Sequence, residues 1–441
     1  MMRRSMHPSA PAIAVLLVLG GAADDRTYWR AAESAAQWVS GSCLPEAGGL
    51  VWPADPRDCA SVDTSLYAGS PGPVLFLLEA FRYTGNRRHL ATATAGADAL
   101  LSAITADSEP GLYVGAAGIG FVLGEAFRIT HDPRYRDGAL KAVKVLQETA
   151  RNVGAGVEWN DSSDIISGGS GIGLFLLWAA RELDAPSARD LAVKAGRRLI
   201  ALGQHRGPGQ LGWMLDATYP LELPNFSHGT AGVAYFLATL YQDTHDEEFL
   251  DAALAGARYL TSIADPQGGG CLILHDGANA KLYYLGWCHG PPGTARLFYR
   301  LFQATKDPLW LAWMRRCAEG AVAAGAPERV VTPGEWNNVS VCCGVAGQAP
   351  FFLSMYRLTQ DRRYLDLATR ATALLLAKAS TDDAGSRWIQ AENRKQPDQV
   401  TAQTGLMQGA SGVGLWLLHL AAYRDGLHLP EIILPDDPFD D

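Results

Sequence analysis

The chain has 441 residues, of which 48% are hydrophobic, so it can bury a large core. Its formal net charge is −9, and the charged residues are mixed along the chain. Because phosphate binding needs a clustered basic surface, this composition argues against nucleic acid as a partner.

The first residues have the composition of a secretory signal peptide. Two arginines precede an apolar run from Ala12 to Leu19, and small residues and then two aspartates follow it. The run is far shorter than the ~20 residues of a membrane-spanning helix, so we expect no stable membrane insertion. We predict a signal peptide at residues 1–23 and an exported protein, periplasmic or secreted. If the segment is instead a disordered tail or a misplaced start, the protein is cytoplasmic.

A short pattern, two glycines separated by two residues, recurs seven times, and each copy opens an apolar run. One such GxxG pattern would mean nothing, but seven indicate a repeat architecture. The copies begin at Gly69, Gly115, Gly168, Gly229, Gly290, Gly344 and Gly409.

Each repeat reads as two helices. The run after each GxxG is apolar nearly all round, as in VLFLLEAF from Val74, which predicts a buried inner helix. A more amphipathic outer helix precedes each GxxG, and Pro133 and Pro308 suit the first turn of two of them. The outer helices are expected to begin near Thr27, His89, Arg134, Ala188, Glu247, Leu309 and Arg363.

We therefore predict an all-α fold in which seven helical hairpins, outer helix then inner helix, form a single domain over residues 24–441. Short strands are expected only in long connections, such as the one from Gly268. An open solenoid is the alternative, but a closed α/α toroid leaves no exposed end faces and is favoured. In a toroid the inner-helix N-termini share one rim, so the residues before each GxxG converge there.

Three cysteines lie at this predicted rim. Cys288 comes two residues before Gly290, and Cys342 and Cys343 come two and one before Gly344. Because these repeats are neighbours, we expect the three thiols to meet. Three thiolates with an open position match a catalytic zinc site, and sulfur ligands select zinc over magnesium or calcium. The alternatives are a Cys288–Cys342 disulfide in an exported protein, or small buried residues without a metal.

Two histidines lie at the same rim. His228 comes one residue before Gly229 and has no thiol beside it, which suits an acid–base role; a purely structural histidine is the alternative. His289 follows Cys288 and could be a fourth ligand, but we expect an ordinary polar residue at the helix entrance.

The remaining cysteines have plainer interpretations. Cys43 and Cys59 could pair across a short loop in an oxidising compartment. Cys271 and Cys317 stand alone in the sequence, and each is expected to be a buried, inert thiol.

Taken together, these motifs resemble the lanthionine synthetase C-like family. The resemblance rests on seven GxxG turns, SHG at His228, WCHG at Cys288 and a CCG triplet, in that order, from about Thr27 onwards. It implies a double ring of seven inner and seven outer helices with zinc at one end. The resemblance also implies that the zinc ligands are Cys288, Cys342 and Cys343. It implies that His228 and Asp164 form an active-site pair.

The sequence departs from the family pattern in two places. The third zinc ligand is usually a histidine, where this chain has Cys343. The family often has an arginine four residues before the first zinc cysteine, where this chain has Tyr284. The role of that arginine is therefore lost, or another group such as Lys281 takes it.

The resemblance implies a zinc-dependent, lanthionine cyclase-like enzyme of lantibiotic biosynthesis. It would add a cysteine or glutathione thiol to dehydroalanine or dehydrobutyrine and so form a thioether. Its partners would be a dehydrated peptide or a small thiol, and we expect a monomer. A non-catalytic, zinc-containing protein that binds a peptide or thiol on the same scaffold is the alternative. A glycoside-processing toroid is disfavoured, because that chemistry needs two carboxylates facing a sugar and the predicted rim offers no convincing pair.

Overall fold

The computed structural model describes residues 26–219, 221–278, 281–332, 336–427 and 431–439. The predicted signal peptide lies outside the described residues and stays a prediction. Among the helices of the described ranges, none is both long enough and apolar enough to cross a membrane.

The described part of the chain contains fourteen α-helices, which form an inner and an outer ring. The predicted starts of the outer helices are confirmed to within two residues. The inner helices are α2 (Pro71–Thr84), α4 (Ala116–Thr130), α6 (Gly169–Glu182), α8 (Thr230–Thr244), α10 (Pro291–Thr305), α12 (Val345–Thr359) and α14 (Ala410–Arg424). The outer helices are α1 (Thr27–Gly41), α3 (Arg87–Ala103), α5 (Pro133–Thr149), α7 (Pro186–Leu202), α9 (Glu247–Ser262), α11 (Pro308–Ala323) and α13 (Arg362–Ala377).

The tight hairpins run from an inner helix to the outer helix that follows it. After α2, Gly85 adopts a left-handed conformation with φ 68°, and Asn86 then caps α3 by accepting the backbone N–H of Arg88 at 3.1 Å. His131 and Asp132 form the same turn between α4 and α5. Each tight hairpin therefore runs from an inner helix to an outer helix, whereas the sequence predicted outer helix then inner helix. The reason is that the connection from each outer helix to the next inner helix is long.

The seventh helix pair closes the ring, because α1 packs against α14, which also packs against α2. Trp29 Nε1 donates to Asp425 Oδ2 at 2.7 Å across this seam, and Ala36 of α1 is fully buried. Gly414 of α14 allows the ring of Phe76 on α2 to approach, since a Cβ there would lie 2.3 Å from that ring. The predicted closed toroid is confirmed.

Short antiparallel strands occupy the long connections and pack against neighbouring outer helices. The expected strand after Gly268 is confirmed as β8. The strands are β1 (Leu44–Glu46) with β2 (Gly49–Val51), β3 (Arg151–Val153) with β4 (Gly156–Glu158), β5 (Gln204–Gly207) with β6 (Gln210–Gly212), β7 (Asp265–Gln267) with β8 (Gly270–Leu272), β9 (Tyr283–Tyr284) with β10 (Val331–Thr332), and β12 (Gly385–Ala391) between β11 (Ala379–Asp382) and β13 (Val400–Ala402).

The GxxG turns need glycine because other atoms approach too closely for a side chain. A Cβ at Gly293 would lie 2.0 Å from the carbonyl oxygen of Trp287 and 2.6 Å from Cβ of Phe226, a residue of the preceding repeat. The backbone of Gly290 is extended, with φ −130°, so the requirement is close packing and not a left-handed conformation. The second glycine of each turn thus seats one repeat against the one before it.

Residues 431–439 lie inside the barrel, below the GxxG rim. Arg296 Nη1 donates to Asp436 Oδ2 at 3.1 Å, and the hydroxyl of Tyr113 donates to Asp436 Oδ1 at 3.0 Å. Ile432 donates its backbone N–H to Glu79 at 3.0 Å. Burial raises the pKa of Asp436, although Arg296 opposes this effect. The C-terminal segment therefore packs against the inner helices, and the candidate site lies at the rim.

Candidate metal centre and its pocket

The rim is held together by a closed ring of backbone hydrogen bonds. As a rule, the residue two before the first glycine of a GxxG donates its N–H to the carbonyl of its counterpart in the next repeat, and the seven links of the ring measure 2.9 to 3.1 Å. Six links follow this rule, and in the seventh the donor is shifted by one residue. The links are Tyr67 to Tyr113, Tyr113 to Ile166, Ile165 to Ser227, Ser227 to Cys288, Cys288 to Cys342, Cys342 to Met407 and Met407 to Tyr67.

This ring brings the three predicted cysteines together. Cys288 and Cys342 occupy adjacent positions in the ring, and the side chains of all three are buried. The Sγ atom of Cys343 lies 3.3 Å from that of Cys288 and 3.4 Å from that of Cys342. The three sulfur atoms lie within 4.8 Å of one another, so this group could hold a metal ion.

A polar network positions the loop that carries two of these thiols. Asn338 is fully buried, and its Oδ1 accepts the N–H and the hydroxyl of Ser340 at 3.0 and 2.6 Å. Its Nδ2 donates to the carbonyl of Ala391 at 2.9 Å, which ties the loop to β12. The hydroxyl of Ser340 in turn accepts the N–H of Cys343 at 3.2 Å. The loop is therefore fixed from both sides before any ion binds.

Burial and mutual contact shift the pKa values of the three thiols. Burial raises the pKa of Cys288 well above its usual value. The contact with Cys288 raises the pKa of Cys343, and hydrogen bonds from Cys288 and Cys343 lower the pKa of Cys342 well below its usual value. Metal ligation requires thiolates, so a bound cation would compete with the protons of all three cysteines.

The predicted histidine–aspartate pair lies beside the thiols, where His228 lines a pocket and Asp164 is buried behind it. His228 Nδ1 donates to Asp164 Oδ2 at 2.6 Å. Asp164 is fully buried, and its other oxygen accepts the backbone N–H groups of Ser167 and Gly168 at 2.8 and 2.7 Å. Burial alone would lower the pKa of His228, but the hydrogen bond and charge of Asp164 raise it above its usual value. His228 keeps 32% of its side chain exposed, so it can reach a ligand.

The pocket above the thiols has a volume of about 730 Å³. His228, Tyr284 and His289 line it next to the three cysteines. His289 is buried and is not part of the candidate metal group, and Ser227 Oγ lies 3.5 Å from its Nε2. The thiols, with no imidazole among them, therefore form the donor set.

An arginine from another element lies beside the position where the family pattern has one. Tyr284 lines the pocket, and its hydroxyl accepts a hydrogen bond from Nε of Arg394, which follows β12, at 3.3 Å. Lys281, the residue suggested by the sequence, is exposed and does not line the pocket. The sequence offered no signal for Arg394, which lies in an irregular segment 110 residues from Tyr284.

His275 is a second pocket residue that the motifs missed. It lies between β8 and β9, and its Nδ1 donates to Asp276 at 2.7 Å. The adjacent His and Asp are visible in the sequence, but they have no fixed distance to a GxxG turn. Only the fold shows that this segment turns into the pocket.

The seven cysteines all fall within the described ranges, and all are free thiols there. Cys43 and Cys59 are therefore unpaired. Cys271 and Cys317 are buried as expected, and the packing of β8 against α11 brings these two cysteines, which are distant in the sequence, together. A hydrogen bond from Cys317 lowers the pKa of Cys271.

Comparison with known proteins gives the following similarities. A family model described as lanthionine synthetase C-like protein matches residues 60–432. The solved structure of nisin cyclase superimposes with a TM-score of 0.65 at 18% sequence identity, covering 94% of this chain and 99% of that chain.

Two relatives are similar in sequence. The LanC-like protein GCL1 of Arabidopsis thaliana is 26% identical over 333 residues, which is 72% of each chain. The protein named glutathione S-transferase LANCL1 of Danio rerio is 23% identical over 147 residues. That second alignment spans 34% of the fish protein, so the match covers about a third of its length.

Proposed function

Because the chain belongs to the lanthionine synthetase C-like family, we propose that it is a zinc-dependent enzyme that adds a thiol to dehydroalanine or dehydrobutyrine to form a thioether. The observation that carries this proposal is the group of Cys288, Cys342 and Cys343, whose sulfur atoms lie within 4.8 Å of one another in the floor of a pocket. His228 and Asp164 supply a proton-transfer pair in the same pocket.

The donor set fits zinc. Tetrahedral bonds of ~2.3 Å place two sulfur ligands about 3.8 Å apart. The Sγ separations of 3.3 and 3.4 Å are close to this value, so small side-chain rotations suffice. Thiolates favour zinc over magnesium and calcium, and three protein ligands leave one position for a substrate thiol.

A free thiol is only about 3% ionised at pH 7. Zinc, when bound, supplies the ionisation of the substrate thiol at neutral pH. The sulfur attacks the β-carbon, the C–S bond forms, and the electron pair of the double bond moves to give an enolate. His228 then gives its Nε2 proton to the α-carbon. Asp164 holds Nδ1 of His228, so Nε2 is left for the substrate.

We further propose that Arg394 replaces the arginine of the family pattern. Among the described residues no carboxylate lies within ion-pair distance of Arg394, and its one side-chain hydrogen bond is to the neutral hydroxyl of Tyr284. A half-buried guanidinium without an acidic partner can stabilise the negative charge that develops on the enolate oxygen.

The donor thiol is a peptide cysteine or a small thiol such as glutathione, which the name of the fish relative mentions. A non-catalytic binding protein is the second candidate, favoured by Tyr284 at the family's arginine position. A glycosidase finds no support, since Glu392 is the one carboxylate among the described residues that line the pocket. Export stays a proposal that depends on the N-terminal segment.

The experiment that tests this function measures zinc content and thioether formation together. The purified chain is mixed with a dehydroalanine peptide and glutathione, before and after chelation, alongside Cys343→Ala and the exposed control Cys59→Ala. We expect one zinc per chain and chelator-sensitive activity in wild type and in the control, and loss of both in Cys343→Ala. Activity that survives chelation would refute the zinc mechanism, and zinc and thiol binding without product would support the binding protein.

A further inference from the structure

Two histidine–carboxylate pairs open into this pocket, and the motifs account for one of them. The other is His275 with Asp276, whose Nδ1 and Oδ2 atoms lie 2.7 Å apart. Asp276 is 3% exposed, and its Oδ1 accepts the backbone N–H of Ala278 at 2.8 Å. Because Nδ1 of His275 is committed to Asp276, Nε2 is the ring atom that remains for a ligand.

His275 is held at the thiol end of the pocket. Its backbone N–H donates to the carbonyl of Leu282 at 2.8 Å. Its ring centroid lies 4.3 Å from that of Tyr284 and 4.4 Å from that of His289, the residue that follows Cys288. The side chain remains 19% exposed and lines the pocket, and its Nε2 makes no hydrogen bond within the described part of the chain.

Building on the proposed function, we propose that His275 is a second catalytic residue, which accepts the proton of the incoming thiol at Nε2 while His228 delivers a proton to the α-carbon. The S–H bond breaks and its proton moves to His275. The C–S bond forms, the electron pair of the double bond moves to the enolate, and the proton of His228 forms the new C–H bond. His275 then loses its proton to solvent and His228 regains one, so no net proton and no electron is consumed.

The surrounding charges favour His275 as the base and His228 as the acid. Burial lowers the pKa of His275, although Asp276 opposes this, and the positive charges of Arg394 and His228 act in the same direction as burial. Burial opposes protonation of His228 as well, yet Asp164 raises its pKa. Two titratable groups whose surroundings push their pKa values apart are the usual arrangement of a separate base and acid. The rings of Tyr284 and His289 also pack against His275, and their shifted pKa values favour the uncharged form of each.

The first test counts protons when a thiol binds to the zinc-loaded chain, with no dehydroamino acid present. N-acetylcysteine methylamide is titrated by calorimetry in two buffers of different ionisation enthalpy. We expect wild type to release fewer protons per thiol bound than the variant without this base, because the thiolate formed beside the imidazole favours protonated His275 and offsets the burial that lowers its pKa in the free protein. His275→Gln keeps a polar group of similar reach but no base, and we expect it to release close to one proton. Equal proton release by the two proteins would overturn the inference, whatever the enzyme's activity.

The second test measures turnover of a dehydroalanine peptide with the same thiol. General acid–base groups contribute roughly 10²–10⁴-fold to a rate, so we expect His275→Gln to lower kcat by about 10²-fold with KM and zinc content nearly unchanged. Added imidazole is expected to restore activity to His275→Ala. The matched control is His205→Gln, because His205 is exposed on β5 and does not line the pocket.

The outcomes of these tests separate the inference from the proposed function. Wild-type turnover with no effect of His275→Gln would overturn the role of His275 and leave the enzyme activity standing. Loss of zinc together with activity in His275→Gln would assign His275 a structural role and overturn the inference. Absence of turnover in zinc-loaded wild type would refute the proposed function, and the proton count would still decide whether His275 accepts a thiol proton.

Discussion

At the scale of single residues, the proposed proton transfer depends on Asp164. It is a fully buried carboxylate that is fixed by two backbone N–H groups on one oxygen and by His228 on the other. The fixed negative charge then favours the protonated form of His228, and hence its use as a proton donor.

We expect Asp164→Asn to shift the pH dependence of catalysis towards lower pH. The asparagine keeps the shape but loses the charge, so the pKa of His228 falls. Because a general acid works only when it is protonated, the decline of kcat/KM with rising pH should then begin at a lower pH. The measurement is a pH–rate profile with the dehydroalanine peptide. Asp161→Asn is the control, since Asp161 is exposed and does not line the pocket; an unshifted decline in Asp164→Asn would contradict the acid role of His228.

At the scale of elements, the unit of construction is an inner helix with the GxxG turn that opens it. The turn makes two kinds of contact. Its second glycine packs closely against a residue of the preceding repeat, and the residues before its first glycine take part in the ring of backbone hydrogen bonds. The packing of one repeat on the next therefore determines the positions of the thiols. Damage to a turn should disturb the metal site even where no ligand is changed.

We expect Gly293→Ala to destabilise the protein and to weaken zinc binding. The added Cβ would lie 2.0 Å from the carbonyl oxygen of Trp287, which directly precedes the proposed zinc ligand Cys288, so the turn must shift. Overpacking of this kind costs about 1–3 kcal/mol, occasionally more. Gly41→Ala is the matched control, because nothing lies within 4 Å of the Cβ it would add. Thermal unfolding and zinc titration check both effects, and equal stability of the two variants would contradict this account of the turn.

At the scale of the whole molecule, closure of the ring joins the two ends of the described helical array. Helix α1 belongs to no tight hairpin and instead covers the outer face of α14. The indole of Trp29 and the hydroxyl of Ser34 add hydrogen bonds across the seam, to Asp425 at 2.7 Å and to Ser386 at 2.8 Å. A closed ring has no free end repeat from which unfolding can begin, so we expect the repeats to unfold together.

We expect Ala36→Glu to lower the stability of the entire toroid by about 3 kcal/mol or more, since it places an unpaired charge in a buried seam. Gln37→Glu adds the same charge at the neighbouring exposed position and should cost less than about 1 kcal/mol. Urea unfolding, followed by tryptophan fluorescence and by zinc release, measures both. We expect one transition that releases zinc at the same midpoint. Zinc retained after the seam has opened would show that the repeats unfold separately.

Much of this architecture could be predicted from the sequence because the signals that define it are local. A proline after an aspartate marks the start of a helix at Pro133, and an apolar run marks the inner helix after Gly72. Even the meeting of Cys288 with Cys343 followed from local patterns, since both lie at fixed distances from a GxxG turn. Repetition multiplies such weak signals until they specify a ring.

The tertiary structure alone decided the features that depend on contacts between unlike segments. The pairing of α1 with α14 joins parts of the chain almost 400 residues apart, as the contact from Trp29 to Asp425 shows with its separation of 396 residues. Arg394 and His275 reach the pocket from connections that have no periodicity, so no spacing could place them. The positions of helical repeats are determined by patterns among residues that are close in the sequence. The path of an irregular loop is instead determined by the distant surface against which it packs.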